Sequence, residues 1–135
     1  MWNTPSKQRL AQIPKFYETE DIPTLDKLIY LHFFLGNSDW YVCEFNGTDT
    51  FFGFVILIGD YQTAEWGYFT IHKLDRLNVR GFDVDYDKFW EPCPASKVAN
   101  ICQAQGWNQS IKCSIDSTPL PFNPVKQNIR RCKNV

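Results

Sequence analysis

Residues 40–58 decide the fold, and they read Trp-Tyr-Val-Cys-Glu-Phe-Asn-Gly-Thr-Asp-Thr-Phe-Phe-Gly-Phe-Val-Ile-Leu-Ile. Two runs rich in aromatic and β-branched residues flank Asn46-Gly47, and both of these residues tolerate the positive φ that a tight turn between strands requires. The pattern predicts an antiparallel hairpin. Its second strand, residues 51–58, is nearly all apolar and is therefore expected in the buried middle of a sheet. Gly53 indicates a bulge or a close approach by a neighbouring strand.

Apolar periodicity on either side of the hairpin adds further elements. It predicts a short helix before Pro14, strands over residues 27–35 and 66–72, one helical turn over 73–77, a helix over 95–105 that ends at Gly106, and a strand over 110–115. The predicted fold class is α+β, an antiparallel sheet of four to six strands with short N-terminal and C-terminal helices packed on it. Residues 1–117 are expected to form a single domain, followed by a Pro-rich and basic tail over residues 118–135.

The composition indicates the class of protein and its location. Phe 11, Tyr 6 and Trp 5 among 135 residues predict a core of large rings, which also favour strands. No run of about 18 apolar residues occurs, and the first residues lack the apolar stretch of a secretory signal. We therefore expect a cytoplasmic protein without membrane contact.

The cysteines favour neither a metal site nor a disulfide framework. They lie at positions 43, 93, 102, 113 and 132, an odd number with irregular spacing and no Cys-x-x-Cys pair. Because a reducing cytosol disfavours disulfides, free thiols are expected, with one structural bridge as the alternative. No cofactor and no metal ion are predicted.

Charge is distributed unevenly along the chain. Residues 16–91 carry 14 carboxylates and 5 Lys or Arg residues, a net charge of −9, whereas residues 1–15 carry +3 and residues 92–135 carry +5. One interpretation is that the acidic residues form ordinary solvated faces or that the basic ends fold against the acidic body. The other is an acidic surface that binds a basic, nucleic-acid-binding protein of the host or phage. The candidate partner-binding residues are Glu18, Glu20, Asp21, Asp83, Asp85 and Asp87, the last three at alternate positions that share one side of a strand.

No cluster of residues indicates a reaction. Cys43 with His32 or His72 is the available pair of nucleophile and base, and the candidate paired carboxylates are Glu44, Asp49 and Glu65. A cysteine among large rings usually behaves as a small hydrophobic residue, and neither histidine lies in a strand with an acidic neighbour that would orient it. The carboxylates are expected to pair with Lys27 or to accept bonds from turn and backbone donors. A non-enzymatic protein is therefore predicted.

Direct nucleic-acid binding is the alternative function. Phosphate attraction needs clustered positive charge, and the one cluster in the sequence is Lys126, Arg130, Arg131 and Lys133 in the C-terminal tail. The acidic body opposes this attraction, so the alternative is the less favoured of the two.

Seven short segments together resemble a small family of unknown function encoded on plasmids, conjugative elements and phages. They are Tyr17-x-Thr19-Glu20-x-Ile22-Pro23, Asp26-Lys27-x-x-Tyr30, Phe33-Phe34, Trp40-Tyr41-Val42-x-Glu44, Gly47-x-Asp49-x-Phe51-Phe52-Gly53, Glu65-Trp66-Gly67-Tyr68-Phe69 and Phe89-x-Glu91-Pro92. The resemblance covers residues 14–97 and implies a cytoplasmic protein of a bacterial host cell. Mobile elements gain from small acidic proteins that occupy the nucleic-acid sites of host defence proteins. The leading hypothesis is therefore a protein-binding accessory factor, in its most specific form an inhibitor of a restriction or CRISPR nuclease.

Overall fold

A five-stranded antiparallel sheet organises the computed structural model, which describes residues 4–107. The strands are β1 (Leu28–Ile29), β2 (Leu31–Leu35), β3 (Ser38–Phe45), β4 (Thr50–Ile56), β5 (Glu65–Thr70), β6 (Asn78–Val79), β7 (Phe82–Asp83), β8 (Asp85–Tyr86) and β9 (Cys93–Pro94). The main sheet has the order β5-β4-β3-β2-β8, and the pairs β1-β9 and β6-β7 form two small ladders. The predicted α+β fold class is confirmed.

Short helices cover both faces of this sheet. They are α1 (Lys7–Ala11), α2 (Ile71–Arg76) and α3 (Ala99–Gln105), with 3-10 turns at Thr24–Asp26 and Ala95–Lys97. On the first face, Leu10 of α1 and Leu74 of α2 pack on a core that includes Phe33 and Phe51. On the second face, Ile101 of α3 packs on a core with Ile29, Tyr41 and Phe54. The inner strands therefore contribute apolar residues to a core on each side, as the sequence predicted, although Phe34 of β2 stays exposed.

The predicted hairpin is confirmed, and one side chain holds its turn. Asn46 Oδ1 accepts hydrogen bonds from the backbone N–H groups of Thr48, Asp49 and Thr50 at 2.8, 2.9 and 3.1 Å, while Gly47 has a φ of +90°. β4, the second strand of the hairpin, lies between β3 and β5 and is an inner strand, as predicted. The middle strand of the five is β3. The predicted second strand ends early, at Ile56 rather than residue 58.

A β-bulge at Cys43 lies next to a close approach of the backbone at Gly53. Val42 pairs with Gly53 and Glu44 pairs with Phe52, so Cys43 is an extra residue in β3. A Cβ on Gly53 would collide with the carbonyl oxygen of Tyr41 and lie 2.8 Å from its carbonyl carbon. The sequence left a bulge and a close approach as alternatives at Gly53; the structure contains both, with the extra residue on the partner strand.

Three predicted boundaries differ from the structure. The strand over 27–35 is divided at Tyr30 into β1 and β2, and β1 pairs with β9 outside the main sheet. The strand over 66–72 ends at Thr70, whose hydroxyl accepts a hydrogen bond from Lys73 N and begins α2, so His72 is helical. The helix over 95–105 starts as a 3-10 turn and becomes α-helical at Ala99. The predicted strand over 110–115 and the 117/118 domain boundary lie outside the described residues.

Candidate functional site

An open groove lies at the edge of the main sheet where β8 pairs with β2. Phe34 of β2 pairs with Asp85 of β8, and Asp87 N donates to the His32 carbonyl oxygen at 3.0 Å, so the chain after β8 stays alongside β2. The groove has a volume of ≈ 530 Å³ and is lined by His32, Phe34, Gly36, Asp39, Asp85, Tyr86, Asp87, Lys88 and Phe89. We call it the β8 groove.

A histidine–aspartate pair forms one wall of the β8 groove. His32 Nε2 and Asp39 Oδ1 are 2.7 Å apart, and each side chain is 17% exposed. The His32 ring stacks on Tyr41 with 4.4 Å between ring centroids and 11° between planes, and Trp90 lies 5.4 Å from it. These contacts fix the position of the Asp39 carboxylate at the groove.

The expectation that no acidic residue orients His32 is therefore wrong. Gly36 and Asn37 form a two-residue turn between β2 and β3, with Gly36 at a φ of +59°, and this turn sets His32 opposite Tyr41. Asp39 is then a diagonal neighbour of His32 on the same face. A Gly-Asn turn between two apolar runs is a hairpin signal in its own right. This Gly36-Asn37 turn is the sequence signal that would have placed Asp39 near His32, and the sequence-based prediction did not include it.

Two of the predicted acidic residues line the same groove beside an exposed ring. Asp85 Oδ1 accepts a hydrogen bond from Tyr86 N at 2.8 Å, and Asp87 Oδ1 accepts one from Phe89 N at 2.9 Å. Phe89 is 90% exposed, and Phe34 is 36% exposed. Both carboxylates are half-buried, whereas Lys88 between Asp87 and Phe89 is exposed. Carboxylates and aromatic faces thus converge on one open surface.

Asp83 occupies a different position. It belongs to β7, which pairs with β6, and its carboxylate accepts a hydrogen bond from Asn78 Nδ2 at 2.9 Å, which lowers its pKa. Val84, 1% exposed, separates it from Asp85. Residues 83 and 85 therefore stand in two different ladders, not in the single strand that their spacing suggested, and only Asp85 lines the β8 groove.

The other predicted acidic residues, Glu18, Glu20 and Asp21, are exposed on the loop that follows α1. This loop reaches β5, where the Phe16 and Tyr68 rings lie 5.2 Å apart. β5 and β8 are opposite edges of the main sheet. The structure therefore does not bring these three carboxylates together with Asp85 and Asp87.

A buried carboxylate anchors that loop. Glu44, 5% exposed, accepts hydrogen bonds from Tyr17 N at 3.2 Å, from Thr19 N at 3.1 Å and from the Thr19 hydroxyl. Lys27 Nζ donates to the Thr19 carbonyl and hydroxyl oxygens. The prediction that Glu44 satisfies backbone donors is confirmed, and Asp49 likewise accepts bonds at the hairpin turn from Asn46 Nδ2 and the Thr50 hydroxyl.

The thiols are placed for packing. Cys43 is fully buried, and burial together with the nearby Glu44 charge raises the pKa of its thiol to about 12. Cys43 and Cys102 are not in a disulfide, as predicted, whereas Cys93 is disulfide-bonded, so the prediction of free thiols is wrong at that position. Sequence spacing could not reveal this because disulfide formation depends on the distance between cysteines in the fold.

The remaining candidates are easily placed. His72 is exposed in α2, and its Nε2 lies 3.3 Å from Arg76 Nη1. Within residues 4–107, no group of three or more His, Cys, Asp or Glu side chains is arranged to hold a metal ion. No helix in that part of the chain is long and apolar enough to cross a membrane. Outside the described residues lie the tail positions Lys126, Arg130, Arg131 and Lys133.

Comparison with known proteins adds no relative. No protein-family model matches the chain, and no curated protein or solved structure is significantly similar to it. The family resemblance of residues 14–97 therefore stays a prediction, and the function has to be argued from the site itself.

Proposed function

We propose that this protein is a non-enzymatic, protein-binding accessory factor whose acidic body binds a basic, nucleic-acid-binding protein. The observation that carries the proposal is the β8 groove, where Asp39, Asp85 and Asp87 meet the exposed ring of Phe89. These carboxylates are partly accessible to solvent, and negative charge at a surface steers association with a positive one. Exposed aromatic rings are frequent at the energetic centres of protein interfaces.

The net charge of the body supports the same function. Residues 16–91 carry −9, which repels the phosphates of nucleic acids and attracts the proteins that bind them. In its most specific form the proposal is that a phage or mobile element encodes this protein to occupy the nucleic-acid site of a host restriction or CRISPR nuclease. That form rests on the predicted family resemblance and on charge complementarity.

The test compares two double variants that remove the same charge. Asp85→Asn with Asp87→Asn neutralises the groove, and each Asn oxygen can still accept the backbone hydrogen bond that the carboxylate accepts now. Glu18→Gln with Glu20→Gln neutralises two exposed carboxylates on the loop at the opposite edge. Full-length protein is immobilised, exposed to a nuclease-treated bacterial lysate, and eluted with increasing salt.

We expect the wild type and the loop variant to retain basic proteins that salt releases, and the groove variant to lose them. Equal loss in both variants would mean that binding depends on net charge alone. Retention of nucleic acid in an untreated lysate, with no protein left after nuclease treatment, would instead favour the alternative function.

A further inference from the structure

We infer that the β8 groove binds an arginine side chain of the partner, with the guanidinium stacked on Phe89 and hydrogen-bonded by the carboxylates beside it. The inference rests on the proposed function and specifies the chemistry of its site. The groove volume of ≈ 530 Å³ leaves room for an arginine side chain and part of the segment that carries it.

The charged groups around the groove favour a cation. Asp39, Asp85 and Asp87 line it together with one cation, Lys88, which leaves a formal charge of −2 when His32 is neutral. A carboxylate can accept several hydrogen bonds, so the bond that Asp87 receives from Phe89 N leaves acceptor capacity for a ligand. His32 Nε2 lies 2.7 Å from Asp39 Oδ1 and holds that carboxylate in place.

The exposed rings favour arginine over lysine. The guanidinium is planar, stacks on aromatic faces and presents several donors in a fixed fork, whereas the ammonium of lysine is a compact and strongly hydrated charge. Phe89, 90% exposed, follows Asp87 by two residues and is tied to it by the bond from its N–H to the carboxylate. An exposed ring and carboxylates thus line the same groove, and they suit the planar face and the N–H edge of a guanidinium respectively.

The preorganisation of the site supports specific rather than diffuse attraction. The Asp87 backbone N–H donates to the His32 carbonyl oxygen of β2, and the Asp87 carboxylate accepts a hydrogen bond from Phe89 N. The Asp39 carboxylate is held by the His32 ring, which is itself stacked on Tyr41. Two carboxylates are thereby fixed relative to one strand before a ligand arrives. Fixed acceptors lose less entropy on binding than mobile ones.

The test measures the affinity of the full-length protein for two labelled peptides by fluorescence anisotropy. The peptides are repeats of Arg-Gly-Gly and of Lys-Gly-Gly with the same length and charge. We expect the arginine peptide to bind about threefold to tenfold tighter, which corresponds to the stacking energy of an exposed cation–π contact together with fork-like hydrogen bonding. Phe89→Leu should remove this preference, whereas Phe82→Leu, a matched control at a 71% exposed ring outside the groove, should leave it unchanged.

Each other outcome has a distinct meaning. Equal binding of both peptides that disappears in the Asp85→Asn, Asp87→Asn variant would overturn the arginine inference and leave the acidic site of the proposed function standing. Binding that this variant does not weaken would overturn the groove as the contact. Failure of both peptides to bind would overturn the arginine inference, and the salt elution of captured proteins would still decide the proposed function. Thermal unfolding of each variant checks that the fold is intact, which is expected because Phe89 contributes almost no buried area.

Discussion

Gly53 offers a sharp test of the sheet because its cross-strand partner is also glycine. Gly53 and Gly67 are directly paired between β4 and β5, yet their surroundings differ completely. A Cβ at Gly53 would collide with backbone atoms of Tyr41 and lie 3.0 Å from Val42 Cα, whereas a Cβ at Gly67 would meet no described atom within 4 Å. Gly53 is buried in an inner strand and Gly67 is half-buried in an edge strand, and a Cβ has space only at Gly67.

The magnitude follows from what has to move. The colliding atoms belong to the backbone of the middle strand, so Gly53→Ala must displace β3 and loosen the ladder at the bulge. Overpacking costs about 1–3 kcal/mol, and the loss of about two ladder hydrogen bonds adds roughly 0.5–1.5 kcal/mol each. We expect Gly53→Ala to lower the free energy of unfolding by about 4 kcal/mol. Gly67→Ala should change it little or raise it by up to about 1 kcal/mol, because alanine loses less backbone entropy on folding.

Urea unfolding of the full-length protein, followed by tryptophan fluorescence, measures both values. If Gly53→Ala unfolds within about 1 kcal/mol of the wild type, as Gly67→Ala is expected to, the close approach of β3 and β4 at this position is refuted.

Three further predictions concern the buried and capping groups. Glu44→Gln should lower the free energy of unfolding by about 2–4 kcal/mol, because one amide oxygen replaces the two carboxylate oxygens that face Thr19 and Tyr17. Urea unfolding measures this change, and a value below about 0.5 kcal/mol would contradict the anchoring role of Glu44. Asn46→Ala should cost about 1–2 kcal/mol by leaving three turn N–H groups without their acceptor, and an unchanged thermal midpoint would contradict that. The raised pKa of Cys43, about 12 instead of 9.0, means that the unfolded chain releases this proton first, so stability should fall as pH rises from 9 to 12. Cys43→Ala should show a shallower loss over the same pH range, and equal slopes would count against the thiol as the cause.

Local sequence patterns predicted those elements that depend on residues close together in the chain. The Asn46-Gly47 turn defines the β3–β4 hairpin, and Gly106 ends α3 in the left-handed conformation with a φ of +72°. The strand boundary at Thr70 was missed because Thr has strand propensity, but its hydroxyl also caps a helix. Which of the two wins depends on the packing of Leu74 onto the core, which a short window of sequence does not contain.

The candidate site depended on pairings between distant residues. Asp85 and Asp87 were identified by their charge, but their partnership with Phe89 and Asp39 required the register of β8 against β2. A two-residue ladder carries too little periodicity to be read from sequence. The separation of Asp83 from Asp85 arises in the same way, since the positive φ values at Arg80 and Gly81 make a turn that starts a separate small ladder.

The bulge at Cys43 has a consequence for how this protein can change in length. In β3, Trp40, Val42 and Phe45 face the first core while Tyr41 and Cys43 face the second, so the extra residue is absorbed between Val42 and Glu44. If Cys43 were removed, Trp40, Val42 and Phe45 would still face the first core and Tyr41 would still face the second. A strand without residue 43 would alternate strictly from Val42 to Phe45 and still reach the same two cores, whereas the present strand keeps Phe45 in the first core only because the bulge absorbs one residue.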